Sequence, residues 1–145
     1  MNSDYLTEQY GYYWELLNHI FEDFAKKHGM NYTQLSVLYT IYRQPGCTQK
    51  TICERNFLPK QTANTAIMAY INEGILTFKV DAQDKRQKKL YLTEAGQKHV
   101  DTFFPKLAAS RYEAMNFLST QERQKLVELT KKYILKVQEL IEKED

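Results

Sequence analysis

Residues 75–96 read "ILTFKVDAQDKRQKKLYLTEAG", with a charged centre between two short apolar runs. Apolar and polar residues alternate in "ILTFKV" and again in "KKLYLT", which is the period of two that a β-strand imposes on its side chains. The centre therefore predicts the loop of an antiparallel hairpin, with Lys85, Arg86 and Lys88 at or beside its tip. Helical periodicity governs the rest of the chain, so this hairpin decides the fold class.

Two helices open the chain. Apolar residues recur every three or four positions from Leu6 to Phe24, which predicts a long amphipathic helix that ends near Gly29 as its C-terminal cap. A second helix is predicted from about Tyr32, and Pro45-Gly46 breaks it.

Two shorter helices follow before the hairpin. Thr48 is placed to cap a third helix that ends near Phe57. Pro59 suits the first position of a fourth helix, which Gly74 closes. The apolar stripe of the fourth helix consists of Ala63, Ala66, Ile67, Tyr70 and Ile71.

Two helices are predicted after the hairpin. Thr93 is placed to cap the fifth, which extends to Leu107 and which Pro105 should kink or interrupt. Ser119 and Glu122 stand at capping-box spacing and start the sixth. Its stripe consists of Leu126, Leu129, Tyr133, Val137 and Leu140. The predicted fold class is mainly α with a small β-hairpin.

Composition narrows the functional classes. A chain of 145 residues with 43% hydrophobic residues fits one domain. No apolar run approaches the roughly 18 residues of a membrane span, and the N-terminus does not read as a signal peptide, so we expect a cytoplasmic protein with no membrane partner. We expect no enzyme, because GxSxG, HExxH and P-loop motifs are absent from the sequence. Neither the histidines nor the two cysteines have metal-site spacing, so no cofactor or metal is expected.

Three compact helices followed by a hairpin with a basic tip describe a winged helix-turn-helix, in which the last short helix enters a DNA groove and the hairpin reaches a neighbouring one. The run Asp81-x-x-Asp84-x-Arg86 and then "LYLTEAG", placed after "KQTANTAIMAYINEGIL", resembles the wing and recognition helix of the MarR family of bacterial transcriptional regulators. The resemblance covers nearly the whole chain. It implies a regulator that binds double-stranded DNA, and we expect a repressor.

The hairpin tip supplies one set of candidate DNA contacts. The guanidinium of Arg86 suits the negative potential of a narrow minor groove, and the carboxylate of Asp84 is placed to hold it in a productive rotamer. Lys85, Lys88 and Lys89 are interpreted as phosphate contacts or as contributors to the electrostatic field.

The fourth helix supplies a second set of candidate contacts. Opposite its apolar stripe lies a predicted exposed face made of Gln61, Thr62, Thr65, Met68 and Asn72. Gln61 can pair bidentately with adenine and Thr65 can contact a thymine methyl group, so this face suits sequence containing A·T pairs. Lys60 and Asn64 lie toward its flanks and suit phosphates.

The third helix supplies a third set of contacts. It opens with Thr48, Gln49 and Lys50, and its free N–H groups suit a phosphate. A simple capping role for Thr48 stays open.

The first helix and the two helices after the hairpin carry apolar stripes. The winged module, residues 31–92, can close its own core without them. We therefore expect residues 1–29 and 93–145 to form dimerisation helices, as the family resemblance also implies. A two-fold symmetric homodimer would bind a pseudo-palindromic operator whose half-sites lie roughly 34–36 Å apart.

Two kinds of control are considered for this protein. The resemblance implies a small-molecule effector in a cleft that Tyr10, Tyr13, Trp14 and Tyr39 could line, although core packing is an alternative role for each. Cys47 lies just before a helix N-terminus, which favours a lowered pKa and oxidation sensing. Some members of the family that this sequence resembles sense oxidants through a cysteine in the first helix. The first helix of this sequence has no cysteine.

A different class of function also fits part of the sequence. The net charge is only +2, and Lys60 is the single cation of the fourth helix. Both features suit a winged-helix protein-interaction module that does not bind DNA specifically.

Overall fold

Helices dominate residues 2–144, the part of the chain that the computed structural model describes. In this part the elements are α1 (Ser3–Lys27), α2 (Tyr32–Arg43), α3 (Gln49–Asn56), α4 (Lys60–Asn72), β1 (Leu76–Val80), β2 (Lys88–Leu92), α5 (Glu94–Val100), α6 (Phe104–Phe117) and α7 (Thr120–Glu142). The predicted fold class, mainly α with a small β-hairpin, is confirmed. Contacts divide the chain into two compact units, the first ending at Val100 and the second beginning at Asp101.

The first unit has a core shared by α2, α3, α4 and the hairpin. Its buried apolar side chains are Leu35, Val37, Leu38, Ile41, Ile52, Ala63, Ala66, Ile67, Tyr70, Leu76 and Leu90. Burying one valine, leucine or isoleucine side chain contributes about 1.5–3 kcal/mol to stability. The hydroxyl of Tyr70 donates to the carbonyl of Gln34 at 3.0 Å, and burial, with the charge of Glu73, raises the pKa of Tyr70. The apolar stripe of α4 is thereby held against α2.

Helix ends follow the predicted caps closely, with two shifts of one residue. The Thr48 side chain accepts the Thr51 backbone N–H at 3.3 Å and begins α3. Pro59 is the residue before α4 rather than its first residue, and it contributes no side-chain cap. His28 caps α1, and Gly29 follows it at φ 74°, a backbone angle that glycine tolerates best.

The hairpin is antiparallel, with Leu76 opposite Leu92 and Val80 opposite Lys88. A short segment also runs along the other side of β2. The N–H of Gly46 donates to the carbonyl of Leu90 at 2.8 Å, and the N–H of Leu90 donates to the carbonyl of Cys47 at 2.9 Å. Because both edges of β2 near Leu90 are hydrogen-bonded, the base of the hairpin is fixed to the helices.

Thr93 joins the hairpin to α5, and its predicted capping role is confirmed. Its hydroxyl donates to the carbonyl of Gly74 at 2.6 Å and accepts the N–H of Gly96 at 2.9 Å. A Cβ atom on Gly96 would lie 2.1 Å from the carbonyl oxygen of Ile75. Only a residue without a side chain fits there, so Gly96 sets how closely α5 approaches the turn before β1.

The second unit begins with a helix break that differs from the prediction. The predicted interruption of the helix after Thr93 is confirmed, but it lies before Pro105, because α5 ends at Val100 and α6 begins at Phe104. Pro105 lies in the first turn of α6, where its missing N–H costs no hydrogen bond, so the break precedes it. The predicted capping box of Ser119 and Glu122 is confirmed and begins α7.

No residue of α7 is buried in the described chain. Its apolar stripe, Leu126, Leu129, Tyr133, Val137 and Leu140, is 38% to 54% exposed. Nor does any helix within residues 2–144 have the length and apolar character needed to cross a membrane.

Candidate nucleic-acid interface

The polar face of α4 is open to solvent. The side chains that the sequence predicts to be exposed there, Gln61, Thr62, Asn64, Thr65, Met68 and Asn72, are all exposed, as is Lys60. The hydroxyl of Thr65 donates to the carbonyl of Gln61 at 2.9 Å, one turn earlier in the helix. Since this bond uses the hydroxyl hydrogen, the methyl group and the oxygen lone pairs of Thr65 are left for a ligand.

Two open grooves flank this face and meet at Gln61. One, of ≈ 490 Å³, lies between α4 and the start of α2 and is lined by Asn31, Thr33, Gln34, Pro59, Gln61, Thr62, Thr65, Ala66 and Ala69. The other, of ≈ 440 Å³, lies toward α3 and is lined by Gln49, Lys60, Gln61 and Asn64. Gln61 lines both grooves and therefore stands on the ridge between them.

The start of α3 is occupied by internal bonds. Thr48 caps the helix, as the alternative interpretation of this residue holds. The amide nitrogen of Gln49 donates to the carbonyl of Lys60 at 3.1 Å, a contact that the sequence does not predict. This bond ties α3 to the first residue of α4. Lys50 lies 4.0 Å from Glu54, and both side chains are highly exposed, so this ion pair contributes little.

The hairpin tip is built on two aspartates. The carboxylate of Asp81 accepts the N–H of Gln83 at 2.8 Å and that of Asp84 at 3.4 Å, and it lies 3.4 Å from the ammonium of Lys89. The bond from Gln83, helped by the other partners, lowers the pKa of Asp81 below its ordinary value. Asp81 therefore remains ionised and holds the turn in shape.

Asp84 bonds to the backbone of the hairpin tip. Its carboxylate accepts the backbone N–H of Arg86 at 3.0 Å, and its own carbonyl accepts the N–H of Gln87 at 3.0 Å. Within residues 2–144 no ion pair joins Asp84 to the guanidinium of Arg86, and the carboxylate contacts the backbone of Arg86 instead. An aspartate can bond the backbone two residues on. This local bond fixes the path of the chain through the tip and leaves the guanidinium exposed.

The proposed effector residues do not line either groove beside α4. The rings of Tyr10 and Trp14 meet edge to face with centroids 6.2 Å apart, and Tyr39 stacks on Tyr42 at 6.0 Å. Tyr13 is 61% exposed. These contacts place Tyr10 beside Trp14.

Cys47 is buried, and burial raises the pKa of its thiol. The predicted lowering of this pKa is wrong, because desolvation of the thiolate outweighs the favourable backbone hydrogen bond. Within residues 2–144, no group of three or more His, Cys, Asp or Glu side chains is placed to hold a metal ion.

Comparisons with known proteins find similar transcriptional regulators. The MarR family model matches residues 28–87. The HTH-type transcriptional regulator YkoM of Bacillus subtilis is 29% identical over 117 residues, which are 81% of this chain and 76% of that protein. Among solved structures, NMB1585, a MarR family regulator from Neisseria meningitidis, has a TM-score of 0.80 at 23% identity, with both chains fully covered. The S. aureus MepR–DNA complex has a TM-score of 0.68 at 22% identity, covering 88% of this chain and 97% of that one.

A short helix with an exposed polar face, held beside a hairpin with a cationic tip, defines a winged helix-turn-helix fold. The agreement with NMB1585 over the full length shows the same fold. Residues 28–87 match the MarR family model, so the winged module of this chain is similar to that of MarR-family proteins.

Proposed function

We propose that this protein is a MarR-family regulator that represses transcription by binding a pseudo-palindromic operator in double-stranded DNA as a homodimer. The observation that carries the proposal is the exposed polar face of α4, which lies between the two open grooves described above. An α-helix fits the DNA major groove, which is about 12 Å wide. In this arrangement α4 would contact the base edges in the major groove. The two DNA backbones that border the major groove would lie along the two open grooves of the protein beside α4.

The chemistry of the α4 face favours base reading. The amide of Gln61, on the ridge, can donate and accept toward an adenine, and the methyl group of Thr65 suits a thymine. Thr62 lies on one flank of the ridge, and Lys60 and Asn64 lie on the other. We assign these flanking side chains to phosphates, with Lys60 adding the positive charge.

The N-terminal part of α3 takes a supporting role in this proposal. Lys50 is exposed and suits a phosphate, while Gln49 orients the start of α4 through its bond to Lys60. Thr48 holds the α3 N-terminus, whose remaining N–H groups suit the same DNA strand.

The wing, which is the hairpin from Leu76 to Leu92, would contact the neighbouring minor groove. Lys85 and Arg86 are exposed at its tip, and neither makes an ion pair within residues 2–144. The guanidinium of Arg86 suits a narrow minor groove, where the negative potential is strongest. Lys85 and Lys88 suit the phosphates beside it.

Arg86→Ala is expected to weaken binding more on an A-tract-flanked operator than on one flanked by G·C pairs, because A-tracts narrow the minor groove. Asp84→Ala should also weaken binding, by about 1 kcal/mol, since it removes the hydrogen bond that shapes the tip. Asp84→Asn is the matched control: it retains the oxygen acceptor and removes a negative charge, so binding should be equal or tighter. Fluorescence-anisotropy titrations measure the DNA affinity of all three variants. Equal losses of affinity for Asp84→Ala and Asp84→Asn would contradict the backbone role of Asp84.

The homodimer would form through residues 1–29 and 93–145. Supporting it, α1 buries only Ala25 and α7 buries no residue within the described chain, although both carry long apolar stripes. Soluble monomers rarely expose apolar surface of this extent. Two-fold symmetry would then present two copies of α4 to half-sites roughly 34–36 Å apart.

We expect sedimentation equilibrium at micromolar concentration to give twice the mass of the chain. Leu129→Glu should shift the equilibrium toward monomer, because it places a charge in the exposed stripe of α7. Gln124→Glu adds the same charge to the opposite side of α7 and should leave the mass unchanged. A monomer mass for the unmodified protein would refute both the dimer and the palindromic operator.

A small molecule would control this binding. Tyr10, Tyr13, Trp14 and Tyr39 offer aromatic surface on α1 and α2 for an apolar or aromatic effector. Acting on chromosomal operators, the protein would work in the cytoplasm.

Binding to labelled genomic fragments at two salt concentrations tests the whole proposal. A regulator should retain a subset of fragments at the higher concentration, because base contacts survive when phosphate contacts are screened. If every fragment were lost equally, the alternative of a winged-helix protein-interaction module would stand instead. Footprints on the retained fragments should show two symmetric half-sites.

A further inference from the structure

The wing holds its cations in three different ways. Lys89 lies 3.4 Å from the carboxylate of Asp81. The ammonium of Lys79 lies 5.0 Å from the centre of the Tyr91 ring, and that of Lys88 lies 4.6 Å from the centre of the Phe78 ring. The tip cations, Lys85 and Arg86, have no ion pair within residues 2–144.

The two ring-held lysines lie on opposite faces of the hairpin. Phe78 stands opposite Leu90, so Phe78 shares one face with Lys88, and Lys79 shares the other face with Tyr91. The first of these faces is buried at its base, where Leu90 packs into the core. Phe78 is 39% exposed, however, so the outer half of that face is open to a ligand.

A ring partner and a carboxylate partner have different consequences for a lysine. The carboxylate of Asp81 neutralises the charge of Lys89, so this side chain has less to offer a phosphate. An aromatic ring attracts the ammonium through its quadrupole without carrying a net negative charge. A lysine held on a ring therefore keeps its full charge while its rotamers are restricted, and it loses less side-chain entropy on binding an anion.

We infer that Lys79 and Lys88 bind the two phosphate strands that border the minor groove, one on each face of the wing, and that Phe78 and Tyr91 are positioning residues for them. The inference rests on the proposed DNA-binding function and extends it, because Lys79 is absent from the contacts that the sequence predicts. The minor groove is about 6 Å wide. A hairpin that enters it tip first turns each face toward one strand.

The decisive experiment is a double-mutant cycle on Phe78 and Lys88, measured with a mixed-sequence DNA duplex between about 50 and 200 mM salt. Lys88→Gln should reduce the slope of log affinity against log salt by about 0.9 for each lost phosphate contact. Phe78→Leu should weaken binding by about two- to fivefold per wing with the slope unchanged, because the charge is still present. The double variant should bind like Lys88→Gln alone, since the ring acts through the lysine.

The second face of the wing provides an independent check. Tyr91→Phe retains the ring and should bind like the unmodified protein, whereas Tyr91→Leu should lose affinity only while Lys79 is present. On the first face, Phe78→Trp should bind DNA at least as tightly as the unmodified protein, because tryptophan is the strongest cation–π partner. Thermal melting of each variant identifies any loss that comes from unfolding.

The possible outcomes separate this inference from the function on which it rests. If the unmodified protein does not bind the duplex at all, the proposed function fails and the inference fails with it. If it binds but the losses from Phe78→Leu and Lys88→Gln add in the double variant, only the inference is overturned. An unchanged salt slope for both Lys79→Gln and Lys88→Gln would likewise overturn it and leave the function intact.

Discussion

Gly96→Ala is expected to destabilise the folded protein by about 1–3 kcal/mol, the usual cost of overpacking. Helix propensity alone predicts the opposite sign, since alanine in a helix is more favourable than glycine by roughly 0.5–1 kcal/mol. The steric term should dominate because a Cβ atom would lie 2.1 Å from the carbonyl oxygen of Ile75. That oxygen belongs to the backbone of the turn before β1, so it cannot rotate away as a side chain would.

Gly11→Ala provides the matched control for this prediction. Gly11 lies inside α1, and a Cβ atom there would have no neighbour within 4 Å. The same substitution should therefore stabilise the protein by roughly 0.5–1 kcal/mol. Urea denaturation at one protein concentration measures both, and midpoints that move in the same direction would contradict the steric account of Gly96.

Gln61→Ala is expected to cost about 1–3 kcal/mol at each operator half-site, and so about 2–6 kcal/mol for a symmetric dimer, with little loss on random DNA. The reason is that base-edge contacts discriminate between sequences, whereas phosphate contacts do not. Lys60→Ala should weaken binding to both kinds of duplex. Competition titrations with the operator and with random DNA give the two affinities separately.

Two substitutions of Thr65 sharpen this test. Thr65→Ser removes the methyl group but retains the hydroxyl that donates to the carbonyl of Gln61. Thr65→Val retains a methyl group and removes that hydrogen bond. If Thr65 contacts a thymine methyl group, the serine variant should lose operator affinity and the valine variant should retain most of it. Similar losses on operator and on random DNA for every variant would mean that this face of α4 does not read bases.

The path of the chain through the winged module follows from local sequence rules. The alternation in residues 75–80 and 88–93 gave the hairpin, because period two leaves few other structures open. Thr48, Thr93 and Ser119 marked helix starts, since a side-chain oxygen satisfies N–H groups that the helix leaves free. The exposed face of α4 was predictable from its apolar stripe, because helical periodicity places the remaining residues on the opposite side.

The region from residue 93 to residue 107 was less predictable. Pro105 suggested the site of a helix break, but proline also fits the first turn of a new helix, and the break lies before it. The pKa of Cys47 was also misjudged. Proximity to a helix N-terminus is visible in a sequence, whereas burial of the thiol depends on packing among distant segments.

By itself, the sequence determined the fold class and the exposed residues of α4, because periodicity, capping and turn chemistry act over a few neighbouring residues. Only the tertiary structure decided which partner each polar group takes. It directed Gln49 to the carbonyl of Lys60, and Lys79 and Lys88 to aromatic rings on opposite faces of the wing. The physical reason is that a hydrogen bond or a cation–π contact requires a few ångströms of separation and a defined orientation. Those distances are set by strand register and by the packing of helices that lie apart in the sequence.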